Sequence, residues 1–266
     1  MQFSVIITCY NTLTLIKKTL KAVLDTSGND TEIILVNNNP PFPEVLSFLS
    51  GKIHPRVKVV NPGRNLGPFD GQQYGRRRAN GRYLVHVDDD TIVPSSDWLS
   101  AMSNALSDHK QLAYVSLPWR PAPPANIYKA AVFQGSNYQL AICDVDVPVT
   151  MFEAELWKKE FSFLEMKRYY FGTRFIYHGR ANKIGKTCGY IISHWAEHLG
   201  RTREADILYG AWKVLYAKKS TDKDYTTWRE KDQLGEKEIN ILRCFGYPSG
   251  ELLQIREDFR RVKTGL

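Results

Sequence analysis

The chain has 266 residues, 43% of them hydrophobic and 24% charged, with a formal net charge of +8 and a pI near 9.2. These proportions are those of an ordinary globular protein, and no run approaches the ~18 apolar residues that a membrane-spanning helix needs. The four cysteines, Cys9, Cys143, Cys188 and Cys244, lie far apart without a Cys-x-x-Cys pair, which argues against a disulfide framework or a zinc site of the usual spacing.

Phe3 to Thr8 is an apolar, β-branched run that reads as a strand, and Asn11-Thr12 supplies a polar stop. Leu13, Ile16, Leu20, Val23 and Leu24 then recur at helical spacing until Ser27-Gly28-Asn29-Asp30 ends the helix. Glu32 to Val36 is a second strand, closed by Asn37-Asn38-Asn39-Pro40-Pro41, and a short helix (Val45 to Leu49) and a third strand (Val57 to Val60) follow. After the glycine-containing loop Asn61 to Gly67, Asp70 to Ala79 reads as a helix. It leads into Tyr83-Leu84-Val85-His86-Val87, a strand tipped by Asp88-Asp89-Asp90. Strand and helix alternating in this way predict a doubly wound parallel sheet, whose ligands bind at the carboxyl ends of the strands. Three of those ends are polar: Thr8 to Asn11, Asn37 to Asn39, and Asp88 to Asp90. On a strand Asp88 and Asp90 face one side and Asp89 the other. Two carboxylates so close repel each other, and a divalent cation relieves the repulsion.

Further on, Trp98 to Leu106 reads as a helix, Leu112 to Leu117 as a strand, and the proline-dense Pro118 to Pro124 as a surface loop. Val132 to Met151 mixes strand-like runs with Asp144 and Asp146, and Glu153 to Glu165 reads as helical. The aromatic stretch Tyr169 to His178 is expected to pack in the core. Tyr190 to Ile192 is a strand entering Ser193 to His198, where His194 and His198 stand at helical i, i+4 spacing. Ile239, Leu242 and Phe245, then Leu252, Ile255, Phe259 and Val262, mark two amphipathic helices. The basic clusters Lys17-Lys18-Lys21, Arg76-Arg77-Arg78, Lys167-Arg168 and Arg201/Arg203 read as solvated faces, although the overall positive charge suits a polyanionic partner.

The chain resembles the family 2-type glycosyltransferases of the GT-A fold. The resemblance runs through Ser4 to Asn11, Glu32 to Asn38, Arg64-Asn65-Leu66-Gly67, Ala79 to Leu84, and Asp88-Asp89-Asp90 followed by Pro94 and Asp97-Trp98-Leu99. It implies a Rossmann-like, mostly parallel sheet flanked by helices over residues 1–215, with a C-terminal helical extension over 216–266. It implies transfer of a sugar from a nucleoside-diphosphate sugar, with a UDP-sugar expected. Asp88 and Asp90 would form the Asp-x-Asp element that holds Mn²⁺ or Mg²⁺, joined by His198 or His194. Thr8, Tyr10, Asn11, Asn37, Asn38, Arg64 and Asp89 would border the nucleotide. Thr173-Arg174 stands where the family carries the Glu-Asp pair that supplies a general base. Asp146, Asp144 and Glu165 are the substitutes expected from the sequence, and a retaining reaction or a degenerate, nucleotide-binding protein are the alternatives. A sugar-phosphate nucleotidyltransferase fits less well, since no glycine-rich loop follows the first strand. The acceptor is left open between a glycan, a lipid carrier and DNA bases, and the location expected is cytoplasmic or peripheral at a membrane.

Overall fold

The computed structural model describes residues 1–120, 125–166, 173–199, 207–216, 234–244 and 247–264. The expected loop at 121–124, the aromatic residues at 169–171, Phe245 and the basic residues 167, 168, 201 and 203 lie outside the described residues.

The first four strands are β1 (Phe3–Cys9), β2 (Thr31–Asn37), β3 (Val57–Val60) and β4 (Tyr83–Asp88), separated by helices α1 (Leu13–Thr26), α2 (Pro43–Ser50) and α3 (Gly67–Arg76). They lie side by side in the order β3-β2-β1-β4, all parallel. Every residue of β1 is buried, as expected of a strand covered by helices on both faces. Because β2, β1 and β4 are parallel neighbours, their carboxyl ends share one rim. Thr8 is registered opposite both Val36 and Asp88.

Beyond β4 the sheet becomes mixed. Strand β10 (Val149–Glu153) runs antiparallel to β4, with Val149 opposite Val87, and the Asp88 N–H donates to the Pro148 carbonyl at 2.8 Å. Then come β6 (Leu112–Ser116), β11 (Thr187–Ile191), β9 (Gln139–Ile142) and β8 (Ala131–Gln134), completing nine strands among the described residues. A smaller sheet joins β5 (Thr91–Ile92), β12 (Ala196–His198) and β7 (Trp119–Arg120). Helices α4 (Trp98–Asp108), α5 (Ala154–Glu160) and α6 (Thr173–Lys183) cover the second half. Helix α5 is shorter than the expected 153–165 run, and the turns after Glu160 are closed by the Phe161 and Ser162 N–H groups on the Trp157 carbonyl.

The basic cluster at the end of α3 divides. Arg77 and Arg78 are exposed, whereas Arg76 is buried, contrary to the solvated face read from the sequence. Its guanidinium lies over the rings of Phe152 and Tyr177 and donates to the Tyr177 hydroxyl and to Gln72 Oε1. The aromatic core of Phe69, Tyr114, Phe152, Phe161 and Tyr177 provides the π faces that replace a carboxylate partner.

Met1–Met166 with Gly172–Leu199 form one compact unit, and Lys167–Phe171 with Gly200–Leu266 a second. The described helices of the second unit are α7 (Ile207–Tyr216), α8 (Glu236–Cys244) and α9 (Ser249–Thr264), packed through Leu208, Trp212, Ile239, Leu242 and Ile255. Helix α7 falls within the expected 1–215 span but packs with α8 and α9. Among the described residues no helix is long and apolar enough to cross a membrane.

Gly81, at the entry to β4, has no room for a side chain, because a Cβ would lie 2.5 Å from the Ser4 nitrogen and 2.7 Å from the Phe3 carbonyl carbon. Gly81→Ala is expected to destabilise the first unit by about 1–3 kcal/mol through backbone displacement at the β1–β4 pairing, measured as a lowered urea midpoint.

Candidate active site

The rim formed by β2, β1 and β4 is built from the acidic end of β4 outward. Asp89 turns away from Asp88 and Asp90, and its Oδ2 accepts the backbone N–H groups of Tyr10 (2.6 Å) and Asn11 (2.8 Å). It therefore ties the end of β4 to the turn after β1. Asp90 is buried, with Oδ2 receiving Asn11 Nδ2 at 3.4 Å and Oδ1 3.4 Å from His198 Nε2. The His198 imidazole arrives through the small sheet. Strand β12 pairs antiparallel with β5, His198 is registered opposite Thr91, and the Leu199 N–H donates to the Asp90 carbonyl at 2.7 Å.

One ligand atom from each of Asp88, Asp90 and His198 falls within 4.8 Å of the other two. Two carboxylates and one imidazole at that spacing form an oxygen-rich donor set with one borderline nitrogen, which suits Mn²⁺ or Mg²⁺.

Asp88 has a partner that the sequence reading missed. His86 Nε2 lies 2.7 Å from Asp88 Oδ1, and the ring is 1% exposed. Burial, reinforced by the nearby Arg76 guanidinium, holds the His86 imidazole well below its ordinary pKa. The ring is thus neutral, and with Nε2 facing a carboxylate that nitrogen carries the proton and donates. The signal was present in the sequence as strand periodicity, since residues i and i+2 share a face.

His194 belongs elsewhere. Its Nε2 meets Asp97 Oδ1 at 3.0 Å and its Nδ1 the Ser193 hydroxyl at 2.9 Å, and the Ser95 hydrogen bond, followed by that of His194, holds the Asp97 carboxyl below the usual range. The expected shared helix face of His194 and His198 does not form, because pairing with β5 and β7 draws Ala196–His198 into a strand.

The nucleotide-side candidates divide into lining and scaffold. Thr8, Tyr10 and Asn11 are buried at the end of β1. Asn38 is buried and its amide is spent on the 64–67 loop. Nδ2 donates to Asn65 Oδ1 (3.0 Å) and the Gly67 carbonyl (3.3 Å), and Oδ1 accepts the Leu66 N–H (2.9 Å). Asn37 is half-buried and accepts the Asn39 N–H, while Arg64 is exposed at the crest of the loop that Asn38 holds.

On the opposite side of β4, Arg174 at the start of α6 reaches two aspartates from the segment between β9 and β10. Its Nε and Nη2 donate to Asp144 Oδ2 at 3.1 and 2.5 Å, and its Nη1 donates to Asp146 Oδ1 at 3.1 Å. The two carboxylates raise the Arg174 pKa against the opposing effect of its partial burial. Asp146 lies two residues before Pro148, whose carbonyl binds the Asp88 N–H, so it stands at the same end of the sheet as Asp88. Glu165 is exposed and its charge acts on Asp70 of α3 rather than on this pair.

The family model of glycosyl transferase family 2 matches residues 4–193, and the chain belongs to that family. No curated protein matches it by sequence. Among solved structures, residues 1–349 of TarS from S. aureus are similar with a TM-score of 0.56 and 14% identity, covering 98% of this chain and 81% of that one. GalNAc-T7, solved with UDP, GalNAc and Mn²⁺, gives a TM-score of 0.62 at 14% identity over 98% of this chain and 54% of that one. The mannosyltransferase PcManGT from Pyrobaculum calidifontis, solved with GDP-Man and Mn²⁺, gives 0.61 at 16% identity over 98% and 69%. The fold is the GT-A fold of glycosyltransferases.

Replacing Asn38 with leucine keeps its volume and removes all three polar contacts. The expected cost is about 1–3 kcal/mol, together with faster hydrogen exchange at the Leu66 and Gly67 amides while the amides of β1 stay protected.

Proposed function

We propose that this chain is a metal-dependent glycosyltransferase that moves a sugar from a UDP-sugar to a hydroxyl acceptor. The observation that carries the reading is the convergence of Asp88, Asp90 and His198 at the rim where β1, β2 and β4 end. These three side chains would hold Mn²⁺ or Mg²⁺, and a bound divalent cation supplies Lewis-acid neutralisation of the departing nucleoside diphosphate. A nucleoside-diphosphate sugar as donor is supported by structural relatives, of which TarS is solved with UDP-GlcNAc, GalNAc-T7 with UDP and PcManGT with GDP-Man, and UDP is the nucleotide proposed here.

The chain's own groups prepare the site. His86 donates to Asp88 Oδ1 and fixes the plane of that carboxylate. Asp89 holds the turn of Tyr10 and Asn11, the segment proposed to border the nucleoside, and Asn38 holds the loop that presents Arg64. Arg64 offers a planar donor fork suited to a phosphate or a base.

Asp146 is the group proposed to take the acceptor's proton. Its Oδ1 is anchored by Arg174 Nη1, and its Oδ2 has no partner among the described residues. Asp144 spends Oδ2 on two donors of Arg174 and turns Oδ1 to His178, and Glu165 stands away beside Asp70. An arginine at the position of the family's carboxylate pair is thus reconciled with general-base chemistry, since it orients a carboxylate from a neighbouring segment.

Two measurements test these roles. Asp90→Ala is expected to weaken Mn²⁺-dependent UDP binding in calorimetry by more than the roughly 10–100-fold that loss of an outer partner costs, and unchanged binding would sink the metal assignment. Asp146→Asn is expected to lower kcat about 10²–10⁴-fold with UDP affinity unchanged. A full-rate Asp146→Asn enzyme would move the base elsewhere or favour a retaining reaction.

A further inference from the structure

A second group of metal-ligating side chains lies beneath the Arg174 clamp. Cys188 comes from β11, His178 from α6, and Asp144 from the segment joining β9 to β10. Cys188 Sγ is 3.7 Å from His178 Nδ1, His178 Nδ1 is 3.4 Å from Asp144 Oδ1, and all three ligand atoms lie within 4.8 Å of one another.

We propose that Cys188, His178 and Asp144 form a three-residue zinc site with an open fourth position, separate in ligand chemistry from the donor-side cation site. Tetrahedral zinc with bonds of about 2.3 Å to sulfur and about 2.0–2.1 Å to nitrogen and oxygen has ligand–ligand edges of about 3.6 Å (S–N) and about 3.3 Å (N–O). The observed 3.7 and 3.4 Å are those edges to within about a tenth of an ångström. The Cys188 thiol donates to the Cys143 carbonyl at 3.4 Å, a bond that a metal-bound thiolate would give up.

The surroundings supply what a zinc site needs beyond its ligands. Arg174 occupies Asp144 Oδ2 with two donors, which fixes that carboxylate and turns Oδ1 toward His178, as an outer-shell partner does. The Tyr114 hydroxyl is buried and interacts with Cys188. Tyr114 is registered directly opposite Cys188 across the β6–β11 ladder. Charge closes as well: a thiolate and a carboxylate balance a divalent cation, while Arg174 and Asp146 balance each other. His178 keeps a third of its side-chain surface exposed, which leaves an entry path and room for water as fourth ligand. Thiolate and imidazole select zinc over the hard cations that suit Asp88 and Asp90.

Binding must release the Cys188 thiol proton, so affinity should rise with pH. The test uses the full chain, stripped with chelator and titrated with Co²⁺ under reducing conditions. One equivalent is expected to produce a thiolate-to-cobalt charge-transfer band with tetrahedral visible bands, and Zn²⁺ should abolish both. Cys188→Ser and His178→Ala should remove the thiolate band, and Asp144→Asn should weaken binding at least 10-fold. Asp90→Ala should leave the band intact even where UDP binding is lost, so failure of the donor-site reading and failure of this one are distinguishable. If Cys188→Ser does not fold, the His178→Ala variant carries the test, since that side chain is partly exposed. Absence of any thiolate band in the folded wild type, or its persistence in Cys188→Ser or His178→Ala, overturns the proposal.

Discussion

The carboxylate of Asp89 accepts two backbone N–H groups from the turn after β1, and on that contact the arrangement of the rim depends. Parallel pairing brings the ends of β1 and β4 together but leaves the chain beyond each end free to diverge. Asp89 closes that gap, and charge-assisted bonds of this kind are about twice as strong as neutral ones. Asp88 closes β4 and Asp89 and Asp90 form the turn beyond it, so the Asp89 contact holds the turn that carries Asp90. The least exposed of these acids is Asp90, which also takes the Asn11 amide and, through its carbonyl, the Leu199 N–H. A single carboxylate used for scaffolding thus ties the end of β4 to the turn after β1, beside the two acids proposed for chemistry.

Much of this was legible in the sequence because it is local. The run Phe3 to Thr8, the asparagines after Val36 and the acids after Val87 each announce a buried strand with a polar tip, and a doubly wound order puts such tips on one rim. What escaped was either non-local or a matter of which partner wins. Nothing in Ser193 to His198 indicates a three-residue strand, because its identity as β12 comes from pairing with β5, about a hundred residues earlier. Asn38 carries the right chemistry for reading a base, yet three loop groups lie closer and consume it. Arg76 reads as one of three exposed cations, but its position on α3 turns it onto Phe152 and Tyr177.

Arg174 shows how a departure from a family pattern can be read. On its own an arginine where carboxylates are expected suggests lost chemistry. The structure shows a guanidinium engaged by two aspartates from another segment, and the base proposed above is drawn from that pair. The two aspartates are not equivalent. Asp144 gives Oδ2 to two donors of Arg174 and brings Oδ1 within 3.4 Å of His178, whereas Asp146 meets Arg174 through Oδ1 alone among the described residues. That asymmetry is why Asp146 rather than Asp144 is the one proposed as base.

The sign of the charge at the rim is opposite to that of the whole chain. The net charge of +8 resides on faces such as Arg77 and Arg78, while the end of β4 gathers three carboxylates whose imidazole neighbours include a neutral His86. A diphosphate approaching these acids would meet repulsion, which at about 4 Å is several kcal/mol per pair of charges near a protein surface. The basic surface can raise the local concentration of an anionic ligand but cannot hold it at this spot. Binding there requires that positive charge arrive first or together with the anion. The acids at the rim therefore impose an order of assembly, with the cation no later than the nucleotide, and the overall basicity of the chain bears on encounter instead.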